Sequence, residues 1–511
     1  MKNLSLPFLF FFILPVCTSF SFDPDSIKKA EITVWDREGL MRLIDMGADV
    51  DNVQGNKVFV YASEKILEKI AALGYEISLI PDSFPHEERR TANYRSYEGM
   101  GQELAAIAET YPHLCRVFSI GQSVQGRELW VMKITDQPDT EEDEPEITFI
   151  SSMHGDEPVG MELSMNLIHL LAEEYGTNPE LTGLVNETEI WIMPLMNPDG
   201  YEMGIRSNAN GTDLNRSFPD RVKDPFASFE ARPAETRHVM NWAMANSPVL
   251  SASFHTGALL VNYPFDSDPD SRSVYSACPD DELFIEQSLT YSSKNLPMYN
   301  SSEFWRGIVN GVEWYQVYGG MQDWHYLWLG CNQVTIELSD DNWPNFSQIS
   351  ALWEDNRSAM PAYMQWSLKG IRGIVTDSIS GKPLKAAVRV EGIDHNVFTD
   401  PDVGDYHRML LPGTYSIRVS AEGYREQTVR DIPVGSGGAA RADIALTRND
   451  AGDMNGDGKT DLADAVMILQ MLTGTQSNAP KIVPDIDGDK KTGLQELIFI
   501  LRFCLHEQVM D

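Results

Sequence analysis

Residues 147–158 read ITFISSMHGDEP. An apolar strand runs into a polar turn, and Pro158 then opens an amphipathic helix carrying Leu163, Leu167, Leu170 and Leu171. The same layout returns three times. IWIMPL (190–195) leads into Asn197 in NPDG, VLSASF (249–254) leads into His255, and QVTIEL (333–338) contains Glu337. Near-continuous apolar strands separated by helices predict a buried α/β domain with a mixed, mostly parallel sheet. Ligands of such sheets bind beyond the carboxyl ends of the strands. His154, Glu157, Asn197, His255 and Glu337 are therefore expected at one edge.

His154, Glu157 and His255 form a two-histidine, one-carboxylate set of the kind that holds catalytic zinc, which takes three protein ligands and keeps a position open. Zinc lowers the pKa of water toward ~7 and makes hydroxide available at neutral pH. The spacing HxxE is common by chance; its position at a strand end carries the reading.

The rest of the chain bounds the class. It has 511 residues, 42% of them apolar, and several domains are expected. A net charge of −36 argues against nucleic acid and favours cationic peptides and calcium. Residues 1–22 have a signal-peptide layout, with Lys2, an apolar run from Leu4 to Val16 and small residues at Ser19 and Ser21. No later stretch is apolar enough to span a bilayer, so a secreted or extracytoplasmic protein is expected. Cys17 aside, four cysteines remain, and a Cys278–Cys331 bridge is open but unsupported by any motif.

Residues 23–90 alternate strand and helix patterns (EITVW 31–35, GLMRLIDMGADV 39–50, KVFVYA 57–62, SEKILEKIAALG 63–74, YEISLI 75–80) and predict a small α+β module, a candidate pro-region. It ends in a charged linker with Arg89-Arg90 as a candidate processing site. The α/β domain is assigned to 91–368. Residues 369–447 show short alternating strands with Gly and Pro turns and predict an all-β sandwich, with SGGAA (436–440) as a flexible turn. Residues 448–511 hold an internal repeat, DMNGDGKTDLAD (453–464) and DIDGDKKTGLQE (485–496), each followed by an apolar helix. Asp453, Asn455, Asp457, Lys459, Asp461 and Asp464 fall at positions 1, 3, 5, 7, 9 and 12 of a calcium loop, with Gly458 at the turn. The second loop offers Asp485, Asp487, Asp489, Lys491 and Glu496, but has Lys490 in place of the glycine. One or two structural calcium ions are expected in this EF-hand-like helical module.

Six blocks in order over roughly 95–365 carry a family resemblance: HGDE, NPDG, RSNANGTDLNRSFPD (206–220), FHTG with NYPFD (262–266), WYQVYGGMQDWHY (314–326) and VTIELS (334–339). Together they resemble a zinc metallocarboxypeptidase of the subgroup of carboxypeptidases D, E, M and N, and the following sandwich resembles that subgroup's transthyretin-like accessory domain. The resemblance implies a zinc-dependent exopeptidase with one catalytic zinc on His154, Glu157 and His255. Glu337 would be the general base, taking a proton from the attacking water and passing it to the leaving amine. Arg206 would stabilise the oxyanion, Asn215 and Arg216 would grip the substrate's α-carboxylate, Tyr315 would close over it, and Asp213 would orient a zinc-binding imidazole. Asp266 and Gln322 would line the pocket for the last side chain, and the acid at 266 implies a preference for Lys or Arg. The C-terminal repeat resembles a dockerin, which implies a cohesin-type partner; a calcium-stabilised cap without a partner is the alternative. Two other functions stay open. One is a zinc amidohydrolase of the same fold acting on cell-wall peptides or acylated amino acids, against which Asn215 and Arg216 argue. The other is an inactive peptide-binding scaffold, against which the filled ligand positions argue.

Overall fold

In a computed structural model of the chain, the described residues are 27–80, 93–225, 228–270, 274–449, 452–455, 459–475 and 492–507. The signal-peptide layout, Arg89-Arg90, Asp457, Asp485, Asp487, Asp489 and Lys491 lie outside them.

Alternation of small polar and β-branched residues makes the N-terminal module a four-stranded antiparallel sheet of β1 (Ile27–Thr33), β2 (Asp49–Gln54), β3 (Lys57–Ser63) and β4 (Ile77–Ile80), in the order β2-β3-β1-β4. Helices Arg37–Asp45 and Glu64–Ala72 complete it. The first strand starts and ends earlier than its apolar pattern predicts, because Val34 already leaves the β1–β3 pairing and Trp35 lies at the surface.

The central domain is built on an eight-stranded mixed sheet. Its strands are β5 (Cys115–Gln122), β6 (Glu128–Ile134), β7 (Glu146–Ser151), β8 (Glu189–Met193), β9 (Leu250–His255), β10 (Ala258–Tyr263), β11 (Ile308–Asn310) and β12 (Asn332–Ser339). They are ordered β11-β10-β12-β9-β7-β8-β6-β5. The middle four, β12, β9, β7 and β8, run parallel to one another and are buried along their whole lengths. That explains their unbroken apolar character: helices cover both faces, leaving no solvent side to alternate toward. The helix Val159–Glu174 lies on one face through Leu163, Leu167, Ile168 and Leu171. Gly160 permits its close approach, since a Cβ there would stand 3.0 Å from the Cβ of Phe254 on β9.

The sandwich has β13 (Gly370–Asp377), β14 (Ala387–Val390), β15 (Asn396–Phe398), β16 (Asp405–Arg408), β17 (Gly413–Ser420), β18 (Gln427–Val434), β19 (Ala439–Arg441) and β20 (Ile444–Leu446). One sheet is β15-β14-β17-β18 and the other joins β16, β13, β19 and β20. Part of the stretch expected to be a flexible turn is instead strand: Ala439 and Ala440 pair in parallel with Gly370 and Ile371. The last module is two packed helices, Leu462–Leu472 and Leu494–Glu507, around Met454, Ala465, Ile468, Leu497 and Ile500. Cys115, Cys278 and Cys331 carry free thiols, so the open Cys278–Cys331 bridge is not formed. No helix among the described residues is long and apolar enough to cross a membrane.

Two joints hold the parts together. The module's core is continuous with the central domain, its Ile32, Leu43, Val50 and Val60 sharing one apolar cluster with Leu260, Trp314, Tyr315 and Val317. The sandwich is pinned by Arg408, fully buried, whose Nη2 donates to Asp280 Oδ1 at 2.6 Å while Tyr326 donates to Asp280 Oδ2 at 2.8 Å. Removing one partner of such a pair leaves the other charge buried alone. Arg408→Ala is therefore expected to destabilise the chain by about 3–5 kcal/mol, read as a lower urea midpoint for the sandwich-to-catalytic joint.

Candidate active site

The strand register assembles the site. His255 is the last residue of β9 and pairs with Glu337 on β12, while β7 on the other side of β9 delivers the turn with His154 and Glu157. Gly155 within that turn is forced by contact, since a Cβ would lie 2.0 Å from the carbonyl carbon of Gly200. Asn197 stands at the expected edge, but its side chain turns to the backbone. It is fully buried, caps the helix Pro198–Met203 through Gly200 N–H, and donates to the carbonyls of Met153 and Arg206. It holds the turn in place and does not face the site.

His154 Nδ1 lies 2.8 Å from Glu157 Oε1, His255 Nδ1 lies 3.0 Å from Glu157 Oε2, and the two Nδ1 atoms are 3.2 Å apart. All three side chains are buried. Ligand atoms about 2.0–2.1 Å from a tetrahedral zinc stand about 3.3 Å from one another, so the separations fit zinc. The chemistry fits too: two imidazole nitrogens and a carboxylate converge on one point, a donor set for a borderline cation. Burial opposes charge on Glu157, but His154 and His255 outweigh it and hold the carboxyl far below its usual range. Asp213 Oδ1 lies 3.1 Å from His154 Nε2, on the ring edge away from the metal position. This carboxylate–imidazole contact fixes the ring's orientation.

The other expected residues meet in the same place. A cavity of about 30 Å³ is lined by His154, Glu157, His255, Glu337, Arg206, Asn215, Arg216, Tyr315 and Asp266. Glu337 Oε2 is buried without a partner among the described residues, and burial together with Glu157 and Asp51 raises its carboxyl well above the usual range. Asp266 is buried at the pocket wall, where Gln322 Nε2 donates to its Oδ1 at 3.0 Å and to Asn262 Oδ1 at 2.7 Å. Burial and nearby Asp323 push the Asp266 carboxyl up strongly, outweighing the opposing pull of Arg216. Asn215 Oδ1 accepts from Met321 N–H at 3.0 Å.

Sequence reasoning missed the N-terminal module's part in the site. β2 lies across the cleft. Arg206 Nη1 donates to Asp51 Oδ1 at 2.8 Å and its Nε to Asp49 Oδ2 at 3.1 Å. Arg216 Nη2 is 3.0 Å from Asp49 Oδ1 and donates to Val50 O at 2.8 Å. Tyr315 donates to Asp51 O at 3.0 Å, Asn52 Nδ2 to Gly257 O at 2.5 Å, and Tyr61 to Asp156 Oδ2 at 2.6 Å. The available signal was Asp49-Val50-Asp51, which puts two carboxylates on one face of a strand.

Residues 100–359 match the Zinc carboxypeptidase family, and 370–447 match the carboxypeptidase regulatory-like domain. The chain belongs to the zinc carboxypeptidase family. It is 42% identical over 418 residues to carboxypeptidase D of Homo sapiens, covering 77% of this chain but 30% of that relative. It is 36% identical over 401 residues to the carboxypeptidase N catalytic chain of Mus musculus, covering 70% of this chain and 87% of the relative. The chain thus spans about three-tenths of the length of the carboxypeptidase D relatives. In fold it resembles carboxypeptidase A from Helicoverpa armigera, at a TM-score of 0.52 and 17% identity, over 66% of this chain and 98% of that one.

In this zinc carboxypeptidase, Asp213→Asn is expected to weaken zinc binding by about 10–100-fold, measured by competition with a chromogenic chelator. His255→Ala removes a ligand outright, and that variant is expected to purify without stoichiometric zinc.

Proposed function

We propose that the chain is a zinc-dependent exopeptidase that hydrolyses the C-terminal peptide bond of peptides or proteins, with preference for C-terminal Lys or Arg. One observation carries this reading. The carboxylates of β2, together with the backbone carbonyls of Val50 and Asp51, rest on Arg206, Arg216 and Tyr315, the groups expected to receive a peptide's C-terminus. Two guanidiniums and a phenol beside the zinc ligands suit a substrate that ends in a free carboxylate. An amidohydrolase has no use for that clamp, and an inactive scaffold has no use for a buried Glu337 facing the metal position.

Zinc held by His154, Glu157 and His255 supplies Lewis-acid polarisation of the scissile carbonyl and acidifies the attacking water. Arg216 and Asn215 orient the terminal carboxylate. Arg206 places positive charge where the oxyanion develops. Glu337 takes the proton from water and returns it to the leaving amine. The buried acid at Asp266, braced by Gln322, faces the last side chain, and a lysine or arginine there supplies a pairing cation. The names of carboxypeptidases D, N and M among the relatives support the same reaction.

The docked form is read as latent. A cavity of about 30 Å³ has the volume of about one water molecule, which is too small for an arginine side chain. Residues 27–80 therefore act as a pro-region whose release opens the cleft. The C-terminal module is read as dockerin-like, loaded with calcium at Asp453, Asn455, Asp457, Lys459 and Asp464 and, in the second loop, at Asp485, Asp487, Asp489, Lys491 and Glu496. Asp464 already gathers the loop by accepting from Met454, Asn455 and Asp461 N–H groups. Exposed Leu462, Val466, Leu469 and Leu472 form an apolar stripe that suits a cohesin-type protein partner. Such a partner implies an exported protein.

Paired peptides ending in Arg or Leu test the reaction. Release of Arg is expected to be chelator-sensitive and to fall about 10²–10⁴-fold in Glu337→Gln. Asp266→Asn is expected to cut the Arg-over-Leu preference about tenfold or more, as losing one charge-assisted contact of ~1.5–3 kcal/mol implies. Equal release of both residues by the unaltered chain would refute the specificity and spare the chemistry. Asp49→Ala with Asp51→Ala is expected to raise the intact chain's kcat/KM by about tenfold or more, because each ~1.4 kcal/mol taken from docking shifts the open population tenfold.

A further inference from the structure

A second group of acids stands at the opposite edge of the central sheet. Glu146 is the first residue of β7 and pairs in register with Glu189, the first residue of β8. Glu141 comes from the preceding loop, and the carboxylate oxygens of the three lie within 4.8 Å of one another. Asp405, the first residue of β16, brings the sandwich domain to the same place and, with Asp400, raises the charge felt by Glu146. The strand of six residues between Glu146 and the catalytic turn puts this group about 20 Å from the zinc ligands, at roughly 3.3 Å per residue.

The group is acidic and largely dry. Glu146, Glu189 and Asp405 are only 2%, 1% and 2% exposed. Glu146 Oε1, Glu189 Oε1 and Asp405 Oδ1 have no hydrogen-bond partner among the described residues. Among the described residues, Lys133 Nζ lies 2.7 Å from Glu189 Oε2 and 3.7 Å from Glu141 Oε2, and His407 Nε2 lies 2.8 Å from Asp405 Oδ2. Neighbouring Asp143 differs, because Arg372 and Arg441 neutralise it. Buried carboxylates without partners are costly, and proteins resolve the cost by protonation or by a metal ion.

We infer that Glu141, Glu146 and Glu189 form a calcium site on the side of the catalytic domain next to β16 of the β-sandwich. Oxygens that share an ion at about 2.4 Å stand no more than about 4.8 Å apart, and hard all-oxygen donors select calcium over zinc. Glu141 is about one-third exposed and gives the ion a way in, with room for water ligands. Without the ion, burial and like charge push Glu141 up to about 7 and Glu146 well above the usual range, the mark of a site short of positive charge. The ion would relieve the repulsion between Asp405 and the acids at the ends of β7 and β8, adding to the Arg408–Asp280 contact. It takes no part in catalysis.

Equilibrium dialysis of the full chain against calcium tests the site without interference from the C-terminal loops, because only differences are read. Glu146→Gln is expected to bind one calcium fewer than the unaltered chain. Without calcium it is expected to melt no lower, since Gln mimics the neutral acid that burial favours; with calcium it is expected to gain less in melting temperature than the unaltered chain. Glu141→Gln lies near the surface, where it is tolerated, and is expected to weaken the same site about tenfold. Unchanged calcium stoichiometry in Glu146→Gln, or unchanged affinity in Glu141→Gln, would overturn the proposal in favour of shared protons.

Discussion

Glu157 faces two imidazole nitrogens at once, and it does so only because β9 lies between β7 and β12 in parallel register. His255 reaches the metal position as the last residue of β9, Glu337 as its register partner on β12, and His154 with Glu157 from the turn that β7 enters. A slip of one residue in any of the three strands would turn its functional side chain to the other face. The apolar strands and the helices on both faces fix that register, so the sheet's hydrophobic pattern and the metal's ligand geometry are one constraint.

The second organising feature is a contest over two arginines. Arg206, buried, and Arg216, half-buried, lie among Asp49, Asp51 and Asp213, and each guanidinium needs a carboxylate wherever it goes. In the docked arrangement β2 provides it. In an open cleft a peptide's C-terminus would do the same. Substrate binding and the proposed latency would therefore draw on the same charges, while the apolar cluster shared with Trp314 and Tyr315 holds the docked module against the central domain.

Much of this was legible in the sequence, and for a physical reason. The strand-end residues His154, Glu157, His255 and Glu337 sit in local patterns, and the carboxyl edge of a parallel sheet is a predictable place for chemistry. Asp213, Arg216 and Tyr315 needed the family resemblance, because their loops have no periodic signal. Asn197 lies at the expected edge, but its work there as a helix cap was not legible, because a cap and a site residue look alike in one dimension. The insertion of β2 was invisible, since docking depends on contacts more than 150 residues apart, such as Asp51 with Arg206. The strand at Ala439–Arg441 was hidden by its glycine neighbours, and its pairing with β13 overrode local propensity.

X-ray absorption at the zinc edge, on the full chain loaded with one equivalent of zinc, tests the central convergence most directly. The account predicts two imidazole nitrogens at about 2.0–2.1 Å, a carboxylate oxygen at about 2.0–2.2 Å and no sulfur, with one histidine scatterer lost in His255→Ala. A sulfur ligand, or an unchanged histidine count in that variant, would contradict it.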